Sequence, residues 1–252
     1  LQQFVINFSN PRDLHDPWIF IYINMKINTL SVAVILLFSG CVHSGQELES
    51  FPEIGQEEYR GGFTLAAEGL AATICIDTCD ARVVTIAAGL LADDVERLTG
   101  FRPQIQTSES LPEGPAVIAG TIGKSSLIDE FSKKGLIDTE SLQGKWESYI
   151  IQTVSIKGRK DPVLVIAGSD RRGTAFGLTS LCETAGVSPW YWWADVTPLH
   201  KDALYVQPGR FIQEEPDVQY RGIFINDERF GGWAKWVEQT FDKESGKVGP
   251  KV

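Results

Sequence analysis

Three consecutive polar residues near the end of the sequence carry side chains that bind hydroxyl groups and transfer protons. Asn226, Asp227 and Glu228 follow the run Tyr220–Ile225, which is typical of a buried strand. Barrel enzymes place their functional residues at the carboxyl ends of such strands. Because side chains alternate along a strand, Asn226 and Glu228 share one face and Asp227 lies on the other. The three residues therefore cannot all have the same role.

A second candidate site is a run of four aromatic residues, Trp190, Tyr191, Trp192 and Trp193. Four in succession are too many for one buried strand face, so some of them must contact a neighbouring domain or a ligand. Aromatic rings stack on the apolar faces of sugars, and nearby carboxylates accept hydrogen bonds from sugar hydroxyls. The run predicts a carbohydrate site, and a domain interface is an equal alternative.

The elements that position these residues alternate between strands and helices. Helical spacing runs over Ala81–Leu98, Ser125–Lys134 and Arg172–Ala185, and Gly100 and Gly186 end the first and third helices. Short apolar runs predict strands at Phe63–Ala67, Ala72–Ile76, Pro103–Thr107, Ala116–Ala119, Ser148–Ile156, Val163–Ala167 and Leu204–Val206. This alternation predicts an α/β sandwich with helices packed on a sheet.

Composition suggests the boundaries of the domains. Residues 42–62 are rich in Glu, Gln and Gly and are predicted to be a tether, followed by an α/β domain over 63–197. Residues 198–217 contain three prolines and are predicted to be a linker. A new domain is expected to start at residue 218, and 218–252 is too short to enclose a core of its own.

The beginning of the sequence predicts export. Residues 1–24 precede the only methionine and are interpreted as non-native upstream sequence. Over 25–41, a lysine, the apolar run Leu30–Phe38 and two small residues lead to Cys41, as in a secretory signal. The apolar run is too short to span a membrane. A cysteine after Ser-Gly resembles a bacterial lipobox, so Cys41 is the predicted lipidation site. An ordinary signal peptide is the alternative.

Charge and cysteine content limit the classes of partner. The chain has 23 Lys and Arg against 33 Asp and Glu, a net charge of −10 that opposes binding to nucleic acid or anionic lipid. We therefore expect no nucleic-acid partner, and membrane contact through a lipid anchor only. Cys75, Cys79 and Cys182 lack the spacing of zinc or redox motifs and are predicted to be free thiols, with a Cys75–Cys79 disulfide as the alternative.

Two stretches carry a family resemblance: GSDRRGTAFGLTSLCETAGVSPWYWWADVTP over Gly168–Pro198 and VQYRGIFINDE over Val218–Glu228. Both resemble the N-terminal part of glycoside hydrolase family 115, the xylan α-1,2-glucuronidases. The resemblance implies an N-terminal α/β domain followed by a (β/α)8 barrel, with Tyr220–Asn226 as its first strand. It further implies that Asn226 and Asp227 help to line the glucuronosyl pocket, with the tryptophan-rich loop nearby.

Most of such a barrel lies beyond this sequence, because a barrel takes about 250 residues and about thirty follow Tyr220. The family is inverting, which requires an acid and a base with a water between them. We expect both groups beyond Val252, since Asp227 or Glu228 can serve one of these roles at most. The predicted substrate-binding residues are Asn226, Asp227, Glu228, Trp190, Trp192 and Trp193.

The expected function of the whole enzyme is removal of α-1,2-linked glucuronic acid, or its 4-O-methyl ether, from glucuronoxylan or its oligosaccharides. This chain is expected to be an N-terminal fragment, inactive alone, of a lipoprotein in the periplasm or outer membrane of a bacterium. The alternative is a non-catalytic carbohydrate-binding or docking module. A homodimer is one possible assembly, and no cofactor or metal is predicted.

Overall fold

Ten strands and three helices form the described part of the chain, which in this computed structural model is residues 51–108, 110–191 and 196–222. The helices are α1 (Arg82–Thr99), α2 (Ser126–Lys133) and α3 (Arg171–Ala185), and Glu140–Leu142 forms a single 3-10 turn. The strands are β1 (Ile54–Gly55), β2 (Phe63–Ala67), β3 (Leu70–Ala71), β4 (Thr73–Ile76), β5 (Ile105–Thr107), β6 (Ala116–Thr121), β7 (Tyr149–Val154), β8 (Val163–Gly168), β9 (Leu204–Val206) and β10 (Arg210–Gln213).

The larger sheet has six strands in the order β10-β7-β8-β6-β4-β5. Its β8, β6, β4 and β5 strands run parallel, whereas β7 is antiparallel to β8 and β10 is antiparallel to β7. Every residue of β6 and β8 is buried, as expected for central parallel strands that are covered on both faces. The sequence runs of Val, Ile and Ala therefore form the centre of the fold.

The helices cover both faces of this sheet. Ile74 and Ile76 of β4 pack in one core with α1 and α3, while Cys75 between them points to the other core, which contains α2. Helix α1 ends at Gly100, whose φ of 79° is easily adopted only by glycine. Helix α2 begins after Ser125, whose side chain accepts a hydrogen bond from the Ile128 N–H.

The smaller sheet was not predicted from the sequence. Its strands pair antiparallel in the order β1-β9-β2-β3, and Phe63, Leu65 and Val206 contribute to the core that contains α1 and α3. The β2–β3 hairpin turns at Glu68 and Gly69, both at positive φ (52° and 83°), as a type I′ turn requires.

Two segments, one predicted to be a tether and the other a linker, contribute strands to the sheets. Ile54, in the segment 42–62 that was predicted to be a tether, is buried and pairs with Val206. The segment 198–217, predicted to be a linker, contains two strands. Strand β9 was predicted from the sequence, and β10 was not. Both segments have low apolar content, so their burial depends on strand partners distant in sequence.

The α/β class is confirmed, as a mixed α/β fold with two sheets. Of the predicted barrel strand, residues 220–222 are not in a strand, and 223–226 lie outside the described residues. Cys75, Cys79 and Cys182 are free thiols, as predicted. Within the described ranges, no helix combines the length and apolarity needed to cross a membrane.

Candidate functional site

The structure describes Trp190 among the predicted functional residues, and the others lie outside the described residues: Asn226, Asp227, Glu228, Trp192, Trp193 and Cys41. Trp190 lies in the turn after α3 and is 63% exposed. The next residue, Tyr191, packs against the core, with the Arg97 guanidinium 4.3 Å from its ring centroid. The aromatic run therefore has one ring turned inward, while the indole of Trp190 is accessible to a ligand or a partner.

A cleft of about 240 Å³ opens beside this aromatic run, between α1 and α3. The pKa of Asp94 in this cleft is raised, because burial disfavours the charged carboxylate. The Cys182 thiol and Arg97, which pairs with the Asp94 carboxylate, lower the pKa but do not outweigh burial. The residues that line the cleft are Leu90, Asp94, Thr179, Ser180, Cys182, Glu183, Val187, Ser188 and Pro189.

A larger open cavity, about 500 Å³, lies beside the amino ends of β4 and β6. Thr73, at the start of β4, and Pro115, just before β6, form part of its wall. Ligands of open α/β sheets bind outside the carboxyl ends of the strands. The larger cavity is therefore not the candidate site.

The carboxyl ends of β4, β6 and β8 meet at one edge of the larger sheet, where the antiparallel β7 begins. Four acidic residues lie in the loops at this edge: Asp77, Asp80, Glu147 and Asp170. This is the edge at which α/β proteins gather functional side chains. The hydrogen-bond and ion-pair partners of each carboxylate determine which role it can have at this edge.

Asp77 connects the end of β4 to the start of α2. Its Oδ2 accepts hydrogen bonds from the Ser126 N–H (2.8 Å) and hydroxyl (2.7 Å), and its Oδ1 accepts one from the Cys79 N–H (2.8 Å). Burial raises the pKa of Asp77, but these hydrogen bonds outweigh it, and the net pKa is below the usual value. Asp77 is an ionised cap on α2.

Asp80 holds the end of β6. Its two carboxylate oxygens accept hydrogen bonds from the Thr121 N–H (2.6 Å) and hydroxyl (2.8 Å). The Thr121 hydroxyl shares a further hydrogen bond of 2.9 Å with the buried hydroxyl of Thr174 in α3. This chain of contacts ties the loop before α1 to β6 and to α3.

Asp170 caps α3 and also reaches the loop before β7. Its Oδ1 accepts hydrogen bonds from the N–H groups of Arg172 (2.9 Å) and Gly173 (2.8 Å), which satisfies two free donors of the helix N-terminus. Its Oδ2 accepts one from the Glu147 N–H at 3.0 Å. The turn between β8 and α3 is thereby joined to Glu147.

Glu147 is the functional candidate that sequence reasoning missed. Its side chain is only 3% exposed, and its oxygens pair with Nη2 of Arg172 (2.7 Å) and with Nη2 of Arg221. Its φ of 55° lies in the left-handed region, which costs a non-glycine residue about 1–3 kcal/mol. Glu147 thus combines a strained backbone with a buried carboxylate that has two ion-pair partners. Such strain persists only where the surrounding structure holds the residue in place.

All four carboxylates at this edge accept hydrogen bonds from backbone groups, hydroxyls or guanidinium groups, as described above. Such an arrangement orients loops and helix ends, because a carboxylate that accepts several hydrogen bonds is held in one position. No cluster of three or more His, Cys, Asp or Glu side chains within the described ranges has the geometry to hold a metal ion.

A solved structure with 35% sequence identity resembles this chain in fold as well. It is the family GH115 4-O-methyl-alpha-glucuronidase BtGH115A, described as specific for decorated arabinogalactans. The match has 35% identity and a TM-score of 0.59, and it covers 72% of this chain. The chain spans 22% of that enzyme's length.

Two other glycoside hydrolase structures match more weakly and add no argument. They are CpGH84D, at 14% identity and a TM-score of 0.39, and the GH20 beta-N-acetylhexosaminidase of Streptomyces coelicolor A3(2), at 17% and 0.34. They cover 71% and 67% of this chain, which spans 25% and 26% of theirs. No protein-family model and no curated protein matches the chain significantly. The resemblance predicted from two sequence stretches is confirmed by the first match: this chain is related to glycoside hydrolase family 115, over part of the length of such an enzyme.

Proposed function

We propose that this chain is the N-terminal part of a glycoside hydrolase that releases glucuronic acid, or its 4-O-methyl ether, from glucuronoxylan. The 35% identity to a 4-O-methyl-alpha-glucuronidase over 72% of the chain carries this proposal. In the proposed enzyme, a (β/α)8 barrel begins after the irregular residues 220–222, Asn226, Asp227 and Glu228 bind the sugar, and the general acid and base come from later strands. The mechanism is inverting, as the family resemblance implies.

The contacts of the two family-like stretches support this arrangement. Arg172 belongs to the first stretch and Arg221 to the second, and both pair with the carboxylate of Glu147. Arg221, five residues before Asn226, is thereby held against the carboxyl edge of the larger sheet. The exposed Trp190 supports a role of the aromatic run in sugar binding.

The substrate of the related enzyme BtGH115A adds a second polysaccharide to be tested with this protein. BtGH115A is described as specific for decorated arabinogalactans, whereas the sequence resemblance implies xylan. Both polymers can carry the same terminal sugar, so the polysaccharide backbone is the variable to test. We also propose that the protein is exported to the periplasm or the outer membrane, with Cys41 as its lipid anchor, and that a homodimer is one possible assembly.

The decisive assay uses the complete reading frame that contains this chain. We expect it to release (4-O-methyl)glucuronic acid from glucuronoxylan, and NMR of the first product should show the β-anomer, because inversion of an α-linkage gives β. The 252-residue chain alone should give background release. Background release by the complete protein on both glucuronoxylan and arabinogalactan would show that the hydrolase proposal is wrong.

The rival function is a non-catalytic carbohydrate-binding or docking module, favoured by the exposure of Trp190. Affinity electrophoresis of the 252-residue chain in glucuronoxylan or arabinogalactan tests binding directly. Trp190→Ala should reduce retardation if the indole stacks on sugar, whereas Leu199→Ala, at a residue 82% exposed in the segment that follows, is the matched control. Retardation by the chain combined with no sugar release by the complete protein would favour the module.

A further inference from the structure

Glu147 lies where three parts of the fold meet. It precedes β7, its N–H is bound by Asp170 at the start of α3, and its carboxylate is covered by two arginines, Arg172 and Arg221. A carboxylate that is 3% exposed and faces two guanidinium groups has both oxygens engaged. Its orientation is therefore set by contacts on both the backbone and the side chain.

The backbone around Glu147 is held by the first family-like stretch. The Ser148 N–H donates to Ser169 Oγ at 3.1 Å, and the Ser169 N–H donates to the Ser148 carbonyl at 2.9 Å. Gly173 approaches so closely that a Cβ there would lie 2.2 Å from the Ser148 carbonyl oxygen. The turn between β8 and α3 therefore packs on the backbone next to Glu147 and holds Glu147 at its positive φ.

Within residues 218–222, the part of the second family-like stretch that the structure describes, Arg221 pairs with Glu147. Besides the Glu147 pair, its Nη1 donates to the Val218 carbonyl at 2.7 Å, and its guanidinium lies 5.5 Å from the Trp146 ring centroid. These contacts fix residues 218–221 as an irregular segment. Asn226 follows five residues later, within at most about 18 Å along an extended chain.

We propose that Glu147 is a positioning residue for the candidate sugar-binding residues Asn226–Glu228, acting through its ion pair with Arg221. This inference rests on the proposed function for its catalytic consequence. Glu147 belongs to the α/β domain and is separated from Asn226 by 79 positions in sequence. Its role is to set where the segment leaves the α/β domain, and so where the sugar-binding residues begin.

The first test measures the ion pair itself and does not depend on activity. Trypsin must take the Arg221 side chain away from Glu147 before it cleaves the Arg221–Gly222 bond. In the 252-residue chain, Glu147→Gln keeps the side-chain size and removes its charge. We expect cleavage at Arg221 to become about ten- to hundredfold faster, while cleavage after Lys157, in an exposed turn, serves as the internal reference and stays unchanged.

The second test measures the consequence for catalysis in the complete protein. Glu147→Gln should lower kcat/KM on the preferred polysaccharide by about ten- to hundredfold, with the melting temperature close to that of the wild type. Glu147→Gly should show the same loss and keep the fold, because glycine adopts positive φ freely. Glu130→Gln is the matched control, since Glu130 makes an exposed pair with Lys134 away from this edge.

The outcomes separate the two proposals. An inactive wild-type protein would overturn the proposed function, and the trypsin measurement would still decide whether Glu147 holds Arg221. An unchanged cleavage rate at Arg221 in Glu147→Gln would overturn the inference. So would wild-type kcat/KM in both Glu147 variants of an active enzyme. If Glu147→Gln fails to fold and Glu147→Gly folds, the kcat/KM of Glu147→Gly decides whether the inference holds.

Discussion

Gly173 packs directly on the backbone of Ser148, so that a Cβ on residue 173 would lie 2.2 Å from the Ser148 carbonyl oxygen. The obstacle is backbone, which cannot rotate away as a side chain can. The same glycine donates its N–H to Asp170. One residue without a side chain therefore brings the first turn of α3 against the loop that carries Glu147.

Gly173→Ala should destabilise the fold by about 1–3 kcal/mol through this overlap. Gly89→Ala is the matched control, because Gly89 lies in α1 and a Cβ there meets nothing within 4 Å. Gly89→Ala should raise stability by about 0.4–1 kcal/mol. Urea unfolding of both variants measures the two effects, and a stabilising Gly173→Ala would contradict the close approach.

Asp77→Asn should lower stability at pH 7 by about 1–3 kcal/mol, since the folded state binds the ionised form through Ser126 and Cys79. The pKa of Asp77 is lower in the folded state, so its contribution is present above the unfolded pKa of about 3.9 and is lost as the pH falls through the folded pKa. Unfolding curves from pH 7 to pH 3 should show the gap between wild type and variant narrowing on the acid side. Asp217→Asn, at an exposed position, should stay within about 0.5 kcal/mol of wild type throughout.

Thiol labelling should distinguish the three cysteines of the described fold. Cys79 is exposed, whereas Cys75 and Cys182 are buried, and burial raises the pKa of both buried thiols, so that little reactive thiolate forms. In a Cys41→Ser background, we expect one thiol to react rapidly with an aromatic disulfide reagent and two more after denaturation. Cys79→Ser should abolish the rapid phase, and a persistent rapid phase would contradict the assigned burial.

Asp227→Asn tests the candidate sugar site in the complete enzyme. Loss of a charged hydrogen-bonding partner should lower kcat/KM on glucuronoxylan by about ten- to hundredfold. If Asp227 only caps the following turn, the melting temperature should fall slightly and kcat/KM should stay within about threefold of wild type. Kinetics and a melting curve on the same preparation decide between these roles.

Export is tested by mass spectrometry of the mature protein from its native host. The arrangement of Leu30–Phe38 before Cys41 predicts a mature N-terminus at Cys41 that carries an acyl modification, with nothing upstream. Cleavage after another residue, with Cys41 removed or unmodified, would support the ordinary signal peptide. An unprocessed N-terminus would contradict export.

The elements with strong apolar periodicity could be predicted from the sequence. The strand Phe63–Ala67 is observed with the predicted bounds, and the helix predicted over Ala81–Leu98 spans Arg82–Thr99. Strands β1, β3 and β10 were missed because none of them contains more than two consecutive apolar residues, and the partners of β1 and β10 lie far along the chain.

The position of Glu147 could not be predicted, because no local pattern marks it. Its two partners lie 25 and 74 residues away in sequence, and only the fold brings Arg172 and Arg221 together. The sequence did identify both stretches that contain those arginines. What it could not show was that one buried glutamate joins them.

The antiparallel pairing of Phe63 with Val206 has a consequence for synthesis on the ribosome. One of the two inner strands of the smaller sheet, β9, is made more than 130 residues after the other, β2. At ordinary rates of translation, β2 waits on the order of ten seconds for this partner. During that interval β2 can pair with β3, but its other edge, which later pairs with β9, has no partner, and this open edge is a substrate for chaperones and a point of self-association.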